Sequence, residues 1–364
     1  MHMTSERNDE IYAIGHLSRI VGPLLAWYAK GARDLPWRKS RDPYAIWVSE
    51  IMLQQTRVEA VKPYFARFMA ELPTVKHLAE VDETRLLKLW EGLGYYSRAR
   101  NLKKAAEMVV REYDGRLPRS YDALLSLAGI GSYTAGAVAS IAFDIPVPAV
   151  DGNVLRIVSR ILADDSDIAD AKTKRKVTNM LAKIIPQGRA GDFNQALMDL
   201  GATVCLPVGK ARCEVCPLNG LCEAYLDDIV ASFPVKSAKK QRRIEKRTVW
   251  LISCGERIAI RRRPPKGLLA GLWEFPNEEG VRSMKAWREE LAERGWQVTS
   301  IKSAGEANHI FTHIEWKMKG YWIEISESIA QWEWVRRDEL TDVYPIPTAF
   351  KYYQDQVIKK EVQK

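Results

Sequence analysis

Four cysteines within 18 residues, Cys205, Cys213, Cys216 and Cys222, limit what this chain can fold into more than any other feature. Their spacing is Cys-x7-Cys-x2-Cys-x5-Cys, with Pro217 directly after the third. Whether such a cluster crosslinks or binds metal depends on the redox compartment. The N-terminal residues carry Glu6, Asp9 and Glu10 ahead of any apolar segment, unlike the basic-then-apolar profile of a secretory signal. The most apolar stretch, Leu124 to Ala142, is interrupted by Gly129, Gly131 and Gly136, so no run long enough to span a bilayer occurs. A soluble cytoplasmic protein without membrane association is expected, and in that setting the cluster reads as a metal site. Structural zinc usually pairs two close Cys-x-x-Cys units, and only one is present. Four thiolates in one compact loop suit a [4Fe–4S] cluster, with zinc as the alternative.

The chain has 364 residues, beyond the roughly 250–300 at which a single core stops growing. Its texture divides accordingly. From about Leu17 to Tyr225 apolar residues recur at helical spacing, as in Leu86, Leu87, Leu89, Trp90 and Leu93. Ser232 to Arg247 then carries seven basic residues against Glu245 and reads as an exposed linker, lying along phosphates or simply solvated. Beyond it, Thr248–Cys254 and Arg257–Arg261 predict a hairpin, with strands over Ile314–Ile325 and Trp332–Val335. A helix with Met284, Trp287 and Leu291 on its apolar face fits between them. The expected architecture is an all-α region over 1–231, a basic linker over 232–247 and an α+β domain over 248–364. The net charge of +9 is compatible with a nucleic-acid partner.

Two motifs sharpen that. Leu127-Ala128-Gly129-Ile130-Gly131-Ser132-Tyr133 has the form of a hairpin between two helices, spanning about 124–142. Gly129 and Gly131 would let the turn adopt positive φ and let a phosphate approach backbone N–H groups at a helix start. Asp151 follows in Val150-Asp151-Gly152-Asn153-Val154. The other motif is Trp47 to Thr56, where Glu50 stands among apolar neighbours. Buried there, it would have a raised pKa suited to a general acid; a solvent-facing Glu on an amphipathic helix is the alternative.

Together these features resemble the MutY-type adenine DNA glycosylases, within the helix–hairpin–helix, iron–sulfur superfamily that includes endonuclease III. The stretches Leu35–Arg38, Ser49–Thr56, Glu91–Arg98, Val150–Val154 and Gly267–Pro276 carry the resemblance, the last in a C-terminal part similar to that family's MutT-like (Nudix) lesion-recognition domain. The resemblance implies removal of adenine mispaired with 8-oxoguanine or guanine in double-stranded DNA, by a monomer holding a [4Fe–4S] cluster on Cys205, Cys213, Cys216 and Cys222. Glu50 would be the acid and Asp151 the stabiliser of the sugar cation, oriented by Tyr133 and Asn153. Trp37, Arg38, Leu53 and Gln195 would contact adenine or its sugar. Gly129 and Gly131 would bind the DNA backbone, Gln55 and Tyr95 would wedge beside the 8-oxoguanine, and Phe311, Thr312 and His313 would read it. Other function classes remain: a glycosylase for mismatched thymine or uracil, and a non-catalytic iron–sulfur DNA-binding protein.

Three departures from the family pattern carry consequences. Lyase relatives have a lysine where this chain has Tyr133, and a phenol cannot form a Schiff base, so a monofunctional enzyme is expected. The family spacing between the first two cysteines is x6 rather than x7, and its Phe-Ser-His turn is here Phe311-Thr312-His313. In the Nudix signature, Ala292 replaces one metal-binding glutamate and Gly280 stands where the upstream one belongs, so this domain is expected to bind and not hydrolyse.

Overall fold

A computed structural model describes residues 2–207, 209, 211–237 and 241–359, leaving Val208 of the cysteine loop and Lys239 and Lys240 of the basic segment outside it. The helices in chain order are α1 (His2–Ser18), α2 (Val21–Gly31), α3 (Pro43–Leu53), α4 (Val58–Glu71), α5 (Val75–Glu80), α6 (Glu83–Leu89), α7 (Ser97–Tyr113), α8 (Tyr121–Leu125), α9 (Ser132–Phe143), α10 (Gly152–Ile161), α11 (Ala171–Ile184), α12 (Ala190–Thr203) and α13 (Glu223–Leu226). After them come β1 (Arg243–Cys254), β2 (Arg257–Arg262), β3 (Trp273–Glu274), β4 (Asn277–Glu279), α14 (Met284–Glu293), β5 (Val298–Ile310), β6 (Ile314–Ile325), β7 (Glu333–Val335), α15 (Arg337–Asp342) and α16 (Lys351–Lys359). By internal contacts the chain forms two compact units, one of residues 1–80 and 101–238, the other of 81–100 and 239–364. No helix among the described residues is long and apolar enough to cross a membrane.

In the helical unit, α3 starts where Asp42 accepts hydrogen bonds from the Tyr44 and Ala45 N–H groups and Pro43 supplies a ready-made helical φ. Every residue from Tyr44 to Met52 is buried. Such a helix needs neighbours on all sides, and α9, rich in small buried residues such as Ala135, Gly136, Ala137 and Ala139, supplies one. The turn before α9 is the anticipated hairpin. Gly129 has φ +73° and lies so close to Asn101 that a Cβ would sit 2.5 Å from that side chain. Gly131 differs from the reading above: its φ is −93°, an ordinary extended value, and it is the residue that caps α9. It faces open space, where a side chain would obstruct only an approaching ligand.

In the other unit, β1 and β6 run parallel from Arg243↔Ile314 to Ser253↔Glu324. The antiparallel β5 flanks β6, and β2 flanks β1, forming the hairpin read from sequence. Strand β1 begins at Arg243, so the last residues of the basic segment are sheet and not linker. Val249 and Leu251 enter one core with Trp316, Met318 and Phe350, while Trp250 and Ile252 enter another with Trp287 and Leu291 of α14. Burial on both faces explains why β1 is a continuous apolar run. Met284, expected on the apolar face of α14, is 38% exposed.

The tightest approach in the helical unit tests this packing. A Cβ on Gly136 would lie 2.5 Å from the Pro148 carbonyl oxygen. That segment cannot yield, because Asn194 accepts from the Ala149 N–H and donates to the Val147 carbonyl. Gly136→Ala should cost roughly 1–3 kcal/mol of stability, whereas Gly15→Ala, with open space around it, should cost nothing measurable; thermal unfolding of both variants checks this.

Candidate active site

Five elements converge on a cavity of about 650 Å³ in the helical unit. Trp37 and Arg38 come from the short turn Pro36–Arg38, Glu50 and Leu53 from α3, Tyr133 from the start of α9, Asp151 and Asn153 from the start of α10, and Gln195 from α12. Eight residues chosen from sequence therefore share one lining. Arg33, Ile141 and Met198 also line it and were not anticipated.

Glu50 is 5% exposed, which removes the solvent-facing alternative. Burial pushes its carboxyl from 4.5 up to about 7; a hydrogen bond with Tyr133 and the Arg38 cation pull the other way, and Asp151 adds to the rise. The Tyr133 hydroxyl is itself driven well above its ordinary value, first by burial and then by the neighbouring carboxylates, so it stays a donor. Asp151 caps α10: its Oδ1 accepts from the Asn153 and Val154 N–H groups at 2.9 Å each, and its Oδ2 from the Asn153 amide at 2.9 Å. Two carboxyl groups thus face one cavity, one in an apolar setting and the other held by three donors.

Behind the lining lie residues that sequence inspection missed. Asp199 binds Arg33 and Arg38, partners 166 and 161 residues away in the chain, and no local pattern signals such a pair. Arg156 donates to the Asn153 side chain and to the carbonyls of Gly201 and Cys205, and Arg160 donates to the Cys205 sulfur at 3.1 Å. The spacing of Asn153, Arg156 and Arg160 along one helical face was a readable signal for that link.

The four clustered cysteines line a single small cavity together with Arg160. Burial pushes the Cys216 thiol up to about 12 and raises Cys222, so both would be neutral without a compensating cation. Four soft donors around one space, with a guanidinium beside one of them, fit an iron–sulfur cluster. Among the described residues, no three His, Cys, Asp or Glu side chains come close enough to hold a single metal ion.

In the second unit, Tyr95, Phe311, Thr312 and His313 line another cavity, of about 430 Å³. Tyr95 and Thr312 share a hydrogen bond of 3.0 Å between their hydroxyls. Phe311 packs edge-on against Trp316, whose ring lies beneath the guanidinium groups of Arg247 and Arg263. Gln55, in the helical unit, is exposed and does not line the larger cavity. Gln55 and Tyr95 both hold left-handed backbone, at φ 60° and 47°, an uncommon state for such residues that is found at functional positions.

Comparison with known proteins agrees with this picture. Residues 48–187 match the HhH-GPD superfamily base excision DNA repair protein family, and residues 248–356 match the NUDIX domain. The structure of a thermostable thymine-DNA glycosylase matches with a TM-score of 0.53 and 30% identity, over 58% of this chain and 98% of that one. The helical unit is therefore of the base excision repair glycosylase class. An adenine DNA glycosylase from Rattus norvegicus is 37% identical over 352 residues, 80% of this chain and 68% of that protein. One from Arabidopsis thaliana is also 37% identical, over 85% of this chain but only 58% of its own length. The chain belongs to the adenine DNA glycosylase family.

The raised acid has a consequence for stability. Glu50 ionises near 7 when folded and near 4.5 when free, so folding takes up a proton between those values. Stability therefore falls as pH rises through that window, and the full cost of roughly 3 kcal/mol is present only above it. Glu50→Gln should be more stable than wild type at about pH 8, and this advantage should vanish by about pH 4, as read from urea unfolding at both values.

Proposed function

We propose that the protein hydrolyses the N-glycosidic bond of adenine mispaired with 8-oxoguanine in duplex DNA, and less efficiently of adenine opposite guanine. The burial of Glu50 beside Tyr133 and Asp151 in one cavity is the observation that carries this reading. A base inside a duplex is out of reach, so the adenosine must be flipped into the cavity. Glu50, protonated up to near-neutral pH, gives its proton to adenine N7 while the bond to C1′ breaks, and adenine leaves neutral. General acid catalysis of this kind supplies ~10²–10⁴ in rate. The sugar is left with oxocarbenium character, which the Asp151 carboxylate stabilises until water adds at C1′ and gives its proton to the Glu50 carboxylate, restoring the acid. Asn153 fixes the orientation of Asp151, and Tyr133 that of Glu50. Trp37, Arg38, Leu53 and Gln195 hold the base and sugar.

Cys205, Cys213, Cys216 and Cys222 are the residues that would hold a [4Fe–4S] cluster, which when bound supplies a rigid fold for this loop. Arg156 and Arg160 join that loop to the Asn153 end of α10. In the other unit the turn at Phe311, Thr312 and His313 reads the 8-oxoguanine. Hydrolysis of nucleotides there is disfavoured, since Ala292 and Gly280 leave two of the metal-binding positions of the signature without a carboxylate.

Single-turnover base release from duplexes with adenine opposite 8-oxoguanine tests the reaction. Wild type should release adenine rapidly and Glu50→Gln at least ~10² more slowly. Release of thymine or uracil from mismatches in its place would transfer the assignment to another glycosylase, and a DNA-binding protein that releases no base would refute it. Phe311→Ala should lower the preference for 8-oxoguanine over guanine by about tenfold, roughly the 1.4 kcal/mol of one buried contact, with little change in release opposite guanine; an unchanged preference would dissociate this turn from lesion reading.

A further inference from the structure

Asp199 stands behind the wall of the catalytic cavity and does not line it. It lies on α12, 1% exposed, and its two oxygens accept four hydrogen bonds. Oδ1 accepts from Arg33 Nε at 2.7 Å and Arg38 Nη2 at 2.8 Å. Oδ2 accepts from the Arg33 backbone N–H at 3.1 Å and Arg38 Nη1 at 2.8 Å. Both arginines line the cavity, and the Arg38 cation acts directly on Glu50.

This arrangement resolves a conflict. A guanidinium in the wall suits a nucleotide, but positive charge near a buried carboxyl favours the carboxylate and so removes the proton that catalysis needs. An Arg38 guanidinium left without its counter-charge would do so more strongly. One shared carboxylate leaves the trio with a single net positive charge and locks the Arg38 fork through both its terminal nitrogens, a geometry a lysine does not reproduce.

We propose that Asp199 is a positioning residue for the reaction: it fixes Arg38 in the cavity wall and cancels enough of the arginine charge for Glu50 to keep its proton. The inference rests on the reading of Glu50 as the general acid. The other groups that face Glu50 are Tyr133 from α9 and Asp151 from the start of α10, with Arg57 and Glu59 elsewhere in the cavity wall. Asp199 acts from α12 through Arg38.

The test is the pH dependence of single-turnover adenine release by the full-length protein, for wild type, Asp199→Asn, Arg38→Met and Glu50→Gln. Asp199→Asn leaves both arginines unbalanced, so the high-pH limb should move down by about one unit, a roughly tenfold loss of rate at pH 8 beyond any loss at pH 6. Arg38→Met removes the cation and should move the same limb up, whatever its overall rate. Opposed shifts are the signature of the pair. A rate lowered equally at every pH by Asp199→Asn, or a limb that moves up, would overturn the proposal. Thermal unfolding shows whether Asp199→Asn is folded; if it is not, the Arg38→Met limb decides alone, upward in favour and unmoved against. If Glu50→Gln releases adenine with the wild-type profile, the reading of Glu50 as acid fails instead, independently of Asp199.

Discussion

A carboxyl group withdrawn from water is the constraint around which the helical unit is arranged. Left to itself, a buried carboxylate is unstable, and the group responds by holding its proton to near-neutral pH. That outcome requires α3 to be enclosed on every side, which its run of buried residues from Tyr44 to Met52 achieves. Enclosure in turn requires a neighbour that can come close. Helix α9, built largely of small residues, packs against α3, and its Gly136 lets the segment at Pro148 come close on another side. The same helix begins with Tyr133, so the contact that buries Glu50 also brings it a hydrogen-bond donor. Packing and electrostatics thus share one interface, and the buried carboxyl costs stability above neutral pH.

Helix α10 extends this economy to the cysteine loop. Its first turn carries Asp151 and Asn153 into the cavity, and its next two turns carry Arg156 and Arg160 to Cys205. Arg156 is bound at once to the Asn153 side chain and to the loop carbonyl, so the orientation of Asn153 depends on the loop being formed. Loss of order at the four cysteines would take the Cys205 carbonyl from Arg156 and leave it the Gly201 carbonyl of α12. A loop with no place in the cavity lining is thus joined to the lining residue Asn153 through one arginine.

Much of this was legible in the chain because it is written locally. The Gly129 turn, the Val150–Val154 stretch and the cysteine spacing each sit within a few residues, and β6 matches the reading from Ile314 to Ile325. What escaped is of two kinds. Long-range pairs such as Asp199 with Arg33 and Arg38 leave no pattern, since each residue alone is an ordinary surface type. Mixed segments escaped as well: β5, with exposed Lys302, Ser303, Glu306 and Asn308 between its buried residues, lacks the apolar run that marked β1, and the basic residues at Arg243 and Lys246 looked like linker because their strand is solvated at that end. Glu50 was ambiguous for a related reason, since only tertiary enclosure decides between an acid and a surface carboxylate.

In the second unit, carboxylates of the sheet and of α14 are taken up by arginines. Glu290 and Glu278 are engaged by arginines, and Glu274, almost wholly buried, is shared by Arg261 and Arg263. Those arginines have a further use. Arg263 and Arg247 lie over the Trp316 ring, whose indole N–H donates to Glu245 at 2.8 Å, and Phe311 packs against the same ring. A ring fixed by cations and by a carboxylate acceptor is a firm base for a short turn. The Arg243 N–H donates to the His313 carbonyl at 3.0 Å, pinning the turn's other side. Phe311, Thr312 and His313 are thus held from below by charge and aromatic contacts while Thr312 and His313 remain exposed. That combination suits recognition, where a few polar groups must be presented in one fixed orientation.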